Sequence, residues 1–182
     1  HGLFYKDINK DQDFKMIYGT EGQVWNLSKI NDELFCGHDT GTFFVKNTKA
    51  FKIGQTPGSW IFKKHPKFDN SILQGNYNGI HILQKEYGKW KYKNKLEGFD
   101  ISSRYFEIVN DTTLLVSHEY KGVFKITFNK EIDKIHKIQM DPSVKKGINA
   151  SLIKFDEEIF YLNSEGLFRF DKNRLAFQKD ET

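Results

Sequence analysis

Histidine and asparagine side chains recur at one position of a repeated pattern in this 182-residue sequence. Each stands four residues after the first apolar residue of a short apolar, polar, glycine, apolar segment; they are His38, Asn76, His118 and Asn163. Acidic and tyrosine side chains follow them, and a tyrosine ring with its hydroxyl suits the stacking of a sugar or peptide. The predicted ligand-binding patch consists of His38, Asp39, Asn76, Tyr77, Arg104, His118, Glu119 and Tyr120.

The same residue types also have a purely structural explanation. Asn, Asp and His commonly begin turns because their side chains bond the local backbone, and for any single member of the patch turn capping is the more frequent role. A metal site built from His38-Asp39 and His118-Glu119 is disfavoured, since this spacing matches no metal-ligand motif. The sequence therefore predicts neither a metal nor another cofactor.

The elements that position these side chains are hairpins that repeat along the chain. In each hairpin a glycine follows the polar tip and supplies the positive φ that the turn needs. These glycines stand at positions 2, 41, 79, 122 and 166, at intervals of 39, 38, 43 and 44 residues. A period near forty residues built of short strands is typical of a β-propeller, in which each repeat is one four-stranded antiparallel blade.

The predicted fold is therefore all-β, with about four and a half propeller blades. A half blade covers residues 2–20, and the blades cover approximately residues 23–54, 59–93, 104–140 and 150–178. Short polar turns recur at one phase of three blades, at Asn31-Asp32, Asn110-Asp111 and Asp156-Glu157. Because half a blade would leave strand edges unpaired, residues 1–182 are interpreted as a single partial domain of a larger propeller.

Composition narrows the classes of partner. The net charge of +4 is spread along the chain without a dense Lys/Arg block, so direct nucleic-acid binding is not expected. The single cysteine, Cys36, lies in an apolar strand and is expected to be a buried thiol. The sequence contains no nucleophile elbow, phosphate-binding loop or dinucleotide fingerprint.

Three segments carry a pattern shared with known repeats. They are Val24-Trp25 with residues 34–43, Gly58-Ser59-Trp60 with residues 74–80, and Ser102-Ser103-Arg104 with residues 116–123. In these segments the sequence resembles the two-component-regulator propeller repeats of bacterial sensors. More narrowly, it looks like the propeller part of regulators in which blades precede a triple-tyrosine β-sandwich, a membrane helix and a LuxR-type DNA-binding domain or a histidine kinase. The common repeat has tryptophan in its second strand, where this sequence has Phe35, Leu73, Leu115 and Phe160.

This resemblance implies a periplasmic, non-enzymatic sensory segment of a membrane-anchored regulator of signal transduction or transcription. The implied partners are a small ligand such as a glycan or peptide, the rest of the propeller and downstream signalling domains, with a homodimer as a further candidate. Two alternatives stay open. One is a glycoside hydrolase or lyase acting on polysaccharide, for which Asp39 and Glu119 are the pair of carboxylates at suitable tips. The other is a plain protein-interaction propeller.

Overall fold

The computed structural model describes residues 1–10 and 12–181; Asp11 and Thr182, which fall within the predicted domain, lie outside the described residues. Within those ranges the chain forms strands joined by turns and loops, without a helix. A two-stranded sheet pairs β1 (Phe4–Tyr5) with β2 (Lys15–Met16). The other strands are β3 (Val24–Ile30), β4 (Glu33–His38), β5 (Gly41–Lys46), β6 (Lys49–Gly54), β7 (Ile61–Lys64), β8 (Ser71–Asn76), β9 (Gly79–Glu86), β10 (Lys89–Lys95), β11 (Tyr105–Asn110), β12 (Thr113–His118), β13 (Gly122–Phe128), β14 (Ile135–Met140), β15 (Ser151–Phe155), β16 (Glu158–Asn163), β17 (Gly166–Asp171) and β18 (Ala176–Lys179).

Each run of four strands from β3 onward is one antiparallel sheet in sequential order, and we number these sheets as blades 1 to 4. The first strands of successive blades contact one another, β3 with β7, β7 with β11 and β11 with β15, so they line the propeller axis. The predicted all-β class and the propeller arrangement of four-stranded antiparallel blades are confirmed. The end of the propeller that carries the hairpin tips at 39–40, 77–78, 119–121 and 164–165 is here named the tip face. The links between blades reach the same face.

The core lies between neighbouring blades, which is why many strands are apolar on both sides. Phe35 of blade 1 packs against Phe62 and Trp90 of blade 2, with ring centroids 5.9 and 5.2 Å apart. Similar clusters join blade 2 to blade 3, blade 3 to blade 4, and the two-stranded sheet to blade 1. This continuous packing fixes the position of the hairpin tip of each blade relative to the tip of the next blade.

Two charged contacts cross the blade junctions. The carboxylate of Glu33 in blade 1 accepts hydrogen bonds from Lys85, at 2.7 Å, and from the indole N–H of Trp90, at 3.0 Å. Buried Glu107 in blade 3 forms an ion pair of 2.7 Å with Lys63 of blade 2. Because both carboxylates are partnered across a junction, they tie specific blades together.

The turns follow the sequence pattern with one difference. The repeat glycine Gly41 has a φ of 146°, and the turns at Asn31-Asp32 and Asp156-Glu157 have φ between 47° and 64° at all four residues, as two-residue hairpin turns require. Asn110-Asp111 does not adopt this conformation. A β-bulge precedes that turn, and the Asn110 side chain instead accepts a hydrogen bond from the backbone N–H of Thr112 at 3.0 Å.

Candidate functional site

Three side chains contact one another in sequence across the tip face, where the links enter the first strands of blades 1, 2 and 3. The rings of Trp25 and Trp60 have centroids 4.3 Å apart. The guanidinium carbon of Arg104 lies 5.1 Å from the Trp60 centroid and 5.2 Å from that of Tyr105. We call Trp25, Trp60 and Arg104 the rim ladder. It spans two blade junctions.

Two glycines in the second strands explain why the links can lie so close to the preceding blade. A Cβ on Gly37 would lie 2.3 Å from the carbonyl oxygen of Ser59, and one on Gly75 would lie 2.0 Å from that of Ser103. The N–H groups of these two serines donate to backbone carbonyls of the preceding blade at 3.2 and 2.9 Å. The ladder residue that follows each serine is therefore positioned by backbone packing that only glycine permits.

A cleft of about 250 Å³, here named the rim cleft, opens beside the ladder. It is lined by Trp60, Ser102, Arg104, Tyr105, Ser117, His118, Glu119 and Tyr120. Every one of these side chains is aromatic or polar. The cleft brings together four members of the predicted patch, in which Arg104 and Glu119 form an ion pair of 3.8 Å.

Two further members of the predicted patch lie on the other side of Trp60. The Tyr77 hydroxyl donates a hydrogen bond to the Asp39 carboxylate at 3.2 Å, and the Tyr77 ring meets Trp60 edge-on at a centroid distance of 5.2 Å. Partial burial and then this hydrogen bond raise the pKa of Tyr77 above its usual value. Asp39 is thus engaged with Tyr77 and is not among the residues that line the rim cleft.

The remaining two predicted residues, His38 and Asn76, are fully buried at 0% exposure. His38 Nδ1 accepts a hydrogen bond from the backbone N–H of Thr40 at 3.0 Å, which caps its own turn. The Asn76 carboxamide donates to the carbonyls of Thr56 and Pro57 at 3.3 and 3.0 Å, so it fastens the link that leads to Trp60. In this conformation both side chains support the tip face from below, and neither reaches its surface.

His118 caps its turn and also lines the rim cleft. Its Nδ1 accepts a hydrogen bond from the backbone N–H of Tyr120 at 3.2 Å, which caps the turn. Partial burial and then the charge of Lys121 lower the pKa of His118 below its usual value, which favours the neutral ring. Because Nδ1 is an acceptor, the proton of the neutral ring resides on Nε2. Asn163, at the equivalent position of blade 4, caps its turn in the same way, accepting from Glu165 N–H at 2.9 Å.

The predicted patch did not include the tryptophans of this site. Tryptophan in a strand is more often a core residue, and Trp90 is one, at 6% exposure. Trp25 and Trp60 are only partly buried. The signal that could have separated them is positional, because Trp25, Trp60 and Arg104 all lie at the entry to the first strand of a blade, whereas Trp90 lies in the fourth strand of blade 2.

Other kinds of site find no support in the described ranges. Across residues 1–10 and 12–181, no group of three or more His, Cys, Asp or Glu side chains converges as metal ligands would. The same residues include no helix with the length and apolarity needed to cross a membrane. Cys36 is buried without a disulfide partner, and burial raises the pKa of its thiol to about 11.

Comparison with known proteins places the fold. No family model and no curated protein matches the sequence. Among solved structures, the extracellular domain of a proposed one-component system from B. thetaiotaomicron has a TM-score of 0.67 at 15% identity over 98% of this chain. The WD40 β-propeller domain of Doa1 has a TM-score of 0.65 at 12% identity over 93%. A proposed 6-phosphogluconolactonase from Bacteroides fragilis has a TM-score of 0.61 at 11% identity, again over 93%.

These similarities define this chain as a β-propeller protein built of four-stranded blades. The chain spans 23% of the length of the B. thetaiotaomicron extracellular domain, 56% of the Doa1 domain and 59% of the B. fragilis chain. At sequence identities this low, the similarity shows a shared fold and does not show a shared role.

Proposed function

We propose that this chain is part of a periplasmic sensory propeller in a membrane-anchored bacterial regulator, and that it binds a small glycan or peptide at the rim cleft without catalysing a reaction. The observation that carries this proposal is the rim ladder beside a concave cleft lined by aromatic and polar groups. The fold it shares with the extracellular domain of a proposed one-component system supports the sensory role.

The tip face offers aromatic surface that the fold itself does not bury. Tyr120, which lines the rim cleft together with Trp60, is 63% exposed. Tyr77, which meets the Trp60 ring edge-on, is 40% exposed. Exposed tyrosine rings provide large contact area at low cost in conformational entropy, together with a hydroxyl that fixes orientation.

The arrangement of carboxylates favours binding over hydrolysis. A glycosidase needs two carboxyl groups that flank the reacting bond. Of the two candidate carboxylates, only Glu119 lines the rim cleft, where it faces Arg104, whereas Asp39 accepts a hydrogen bond from Tyr77. A single carboxylate paired with a guanidinium suits the recognition of a ligand.

The ladder also provides a route by which binding could alter the packing of blades. Trp25, Trp60 and Arg104 belong to three successive blades, so a ligand that contacts the rim ladder favours one relative arrangement of all three. The rest of the propeller, downstream signalling domains and a second copy of the chain are the partners to which such a shift would be passed.

A ligand screen with two tyrosine variants tests this function. Calorimetric titration of the chain with oligosaccharides and short peptides is expected to find binding that Tyr120→Ala weakens about tenfold or more. Tyr87→Ala is the matched control, because Tyr87 is fully exposed in the turn between β9 and β10, at the opposite end of the propeller. Equal loss in both variants, release of a reaction product, or no binding to any member of the screen would overturn the proposal.

A further inference from the structure

The guanidinium of Arg104 is held in an unusual way. It lies close to two aromatic rings, with its central carbon 5.1 Å from the centroid of Trp60 and 5.2 Å from that of Tyr105. Its side chain is nevertheless 51% exposed. Within the described residues it forms no hydrogen bond, and its one charged neighbour, Glu119, is 3.8 Å away. The two rings limit the positions open to the guanidinium while its N–H groups remain available.

A planar, restrained guanidinium is chemically matched to a carboxylate. Its N–H groups form a fork that donates two parallel hydrogen bonds to the two oxygens of one carboxylate, a geometry that lysine cannot reproduce. Because the rings of Trp60 and Tyr105 already restrict the side chain, little conformational entropy remains to be lost on binding. Glu119 is too far away to occupy this fork in the same manner.

From this geometry we infer that the ligand of the rim cleft is an oligosaccharide with a terminal uronic acid, whose carboxylate is bound by Arg104. The inference rests on the proposed function and specifies its ligand. A sugar fits better than a peptide because the cleft is lined by rings and polar side chains, with no aliphatic group to receive an apolar peptide side chain.

The dimensions and the neighbouring polar groups fit one sugar ring. At about 250 Å³ the cleft is slightly smaller than the roughly 300 to 1,000 Å³ of pockets that enclose whole ligands, so it suits an end residue. His118 contributes a donor at Nε2, and the hydroxyls of Ser102 and Tyr120 act as donors or acceptors for sugar hydroxyls. The exposed ring of Tyr120 provides a stacking surface at the edge of the cleft.

Replacement of Glu119 tests whether the ligand carries a negative charge. A carboxylate bound by Arg104 is repelled by the negative charge of Glu119, so Glu119→Gln should tighten binding of an acidic sugar several-fold. A neutral sugar would instead use Glu119 as a strong acceptor for its hydroxyls, and the same substitution would weaken its binding. The sign of this one effect separates the two kinds of ligand.

The experiment compares oligogalacturonate and alginate oligosaccharides with neutral galacto-oligosaccharides of the same length, by calorimetric titration. We expect one of the acidic series to bind at least tenfold more tightly than the neutral series. Arg104→Lys, which keeps the positive charge, should weaken binding of the acidic series at least tenfold. Arg169→Lys is the matched control, because Arg169 is similarly exposed and forms a similar ion pair with Glu158, at 3.4 Å in blade 4.

The outcomes distinguish this inference from the function on which it rests. Tight binding of the neutral series, or an equal effect of Arg104→Lys on both series, overturns the inference that the ligand is acidic. The proposal that the rim cleft binds a sugar would then still stand. Binding of peptides with a free carboxyl terminus but not of their amides, in place of uronates, overturns the assignment to sugar. Failure of every saccharide and peptide to bind overturns the proposed function itself.

Discussion

Replacing Gly75 by alanine is expected to destabilise the propeller and to displace Arg104 from the rim cleft. The new Cβ would lie 2.0 Å from the carbonyl oxygen of Ser103, although ordinary contact begins near 3.4 Å, and 3.2 Å from a methyl group of Ile61. The link cannot simply retreat, because the N–H of Ser103 donates to the carbonyl of Asn76 at 2.9 Å and Ser103 is fully buried.

The size of the effect follows from these two contacts. Overpacking of a buried site costs about 1–3 kcal/mol, and loss of a buried hydrogen bond adds roughly 1 kcal/mol. The free energy of unfolding should therefore fall by about 2–4 kcal/mol. For a chain of this length that corresponds to a decrease in Tm of roughly 5–15 °C.

Gly54→Ala provides a matched control within the same fold. A Cβ at Gly54 would have its nearest neighbours in Thr42 and Tyr92, at 3.6 and 3.9 Å, and its backbone conformation is accessible to alanine. Its stability should therefore change by no more than about 0.5–1 kcal/mol, in the stabilising direction, because alanine restricts the unfolded chain.

Urea unfolding followed by far-ultraviolet circular dichroism gives both free energies, provided that the m-values agree. Equal stability of the two variants would refute the argument that the link is held against the second strand by a glycine contact. Retention of full ligand affinity by Gly75→Ala would refute the role of that contact in placing Arg104.

Three further predictions concern buried groups. Burial, with a smaller effect of Lys95, lowers the pKa of His81 from 6.5 to about 4 in the folded chain. The unfolded chain therefore binds the proton more tightly than the folded chain, and stability is lost as the pH falls from about 6.5 towards 4. This loss should reach about 2–3 kcal/mol by urea unfolding and be absent in His81→Gln; identical pH profiles would contradict it. Burial raises the pKa of Glu107 above 4.5 despite the opposing charge of Lys63, so the contribution of this carboxyl group to stability falls as the pH rises above 4.5. Glu107→Gln should therefore unfold at the same or a higher temperature than the unaltered chain at pH 7. A clear decrease in the unfolding temperature would contradict this argument. Cys36, with 0% exposure, should react with a thiol reagent only as fast as the protein unfolds, as followed by mass spectrometry, and prompt labelling would disprove its burial.

The fold could be predicted from the sequence because its signals are local. The repeat glycine and the apolar runs specify each hairpin within about a dozen residues, and their period then specifies the propeller. Local signals were insufficient at Asn110-Asp111, where the residue types match the other turns. A β-bulge one residue earlier changes the backbone entering that turn, and no residue type in the sequence marks it.

The site could be predicted only in part, since it depends on contacts between blades. The pattern correctly identified the tips as equivalent, and Arg104, His118, Glu119 and Tyr120 do line one cleft. It could not reveal that the next link covers His38 and Asn76, because this burial depends on backbone packing across a blade junction. The contact of Trp60 with Arg104 arises from the same packing, which the sequence period does not reveal.

Hydrogen–deuterium exchange mass spectrometry of the chain, with and without uronate oligosaccharides, tests most directly whether the tip face is the binding surface. The account predicts slower exchange at residues 58–60, 102–105 and 117–121, which form the links and the tip around the rim cleft. It predicts no change at the turns 31–32 and 156–157, at the opposite end of the propeller. Protection confined to those turns, or no protection with these or any other saccharide or peptide, would contradict the account.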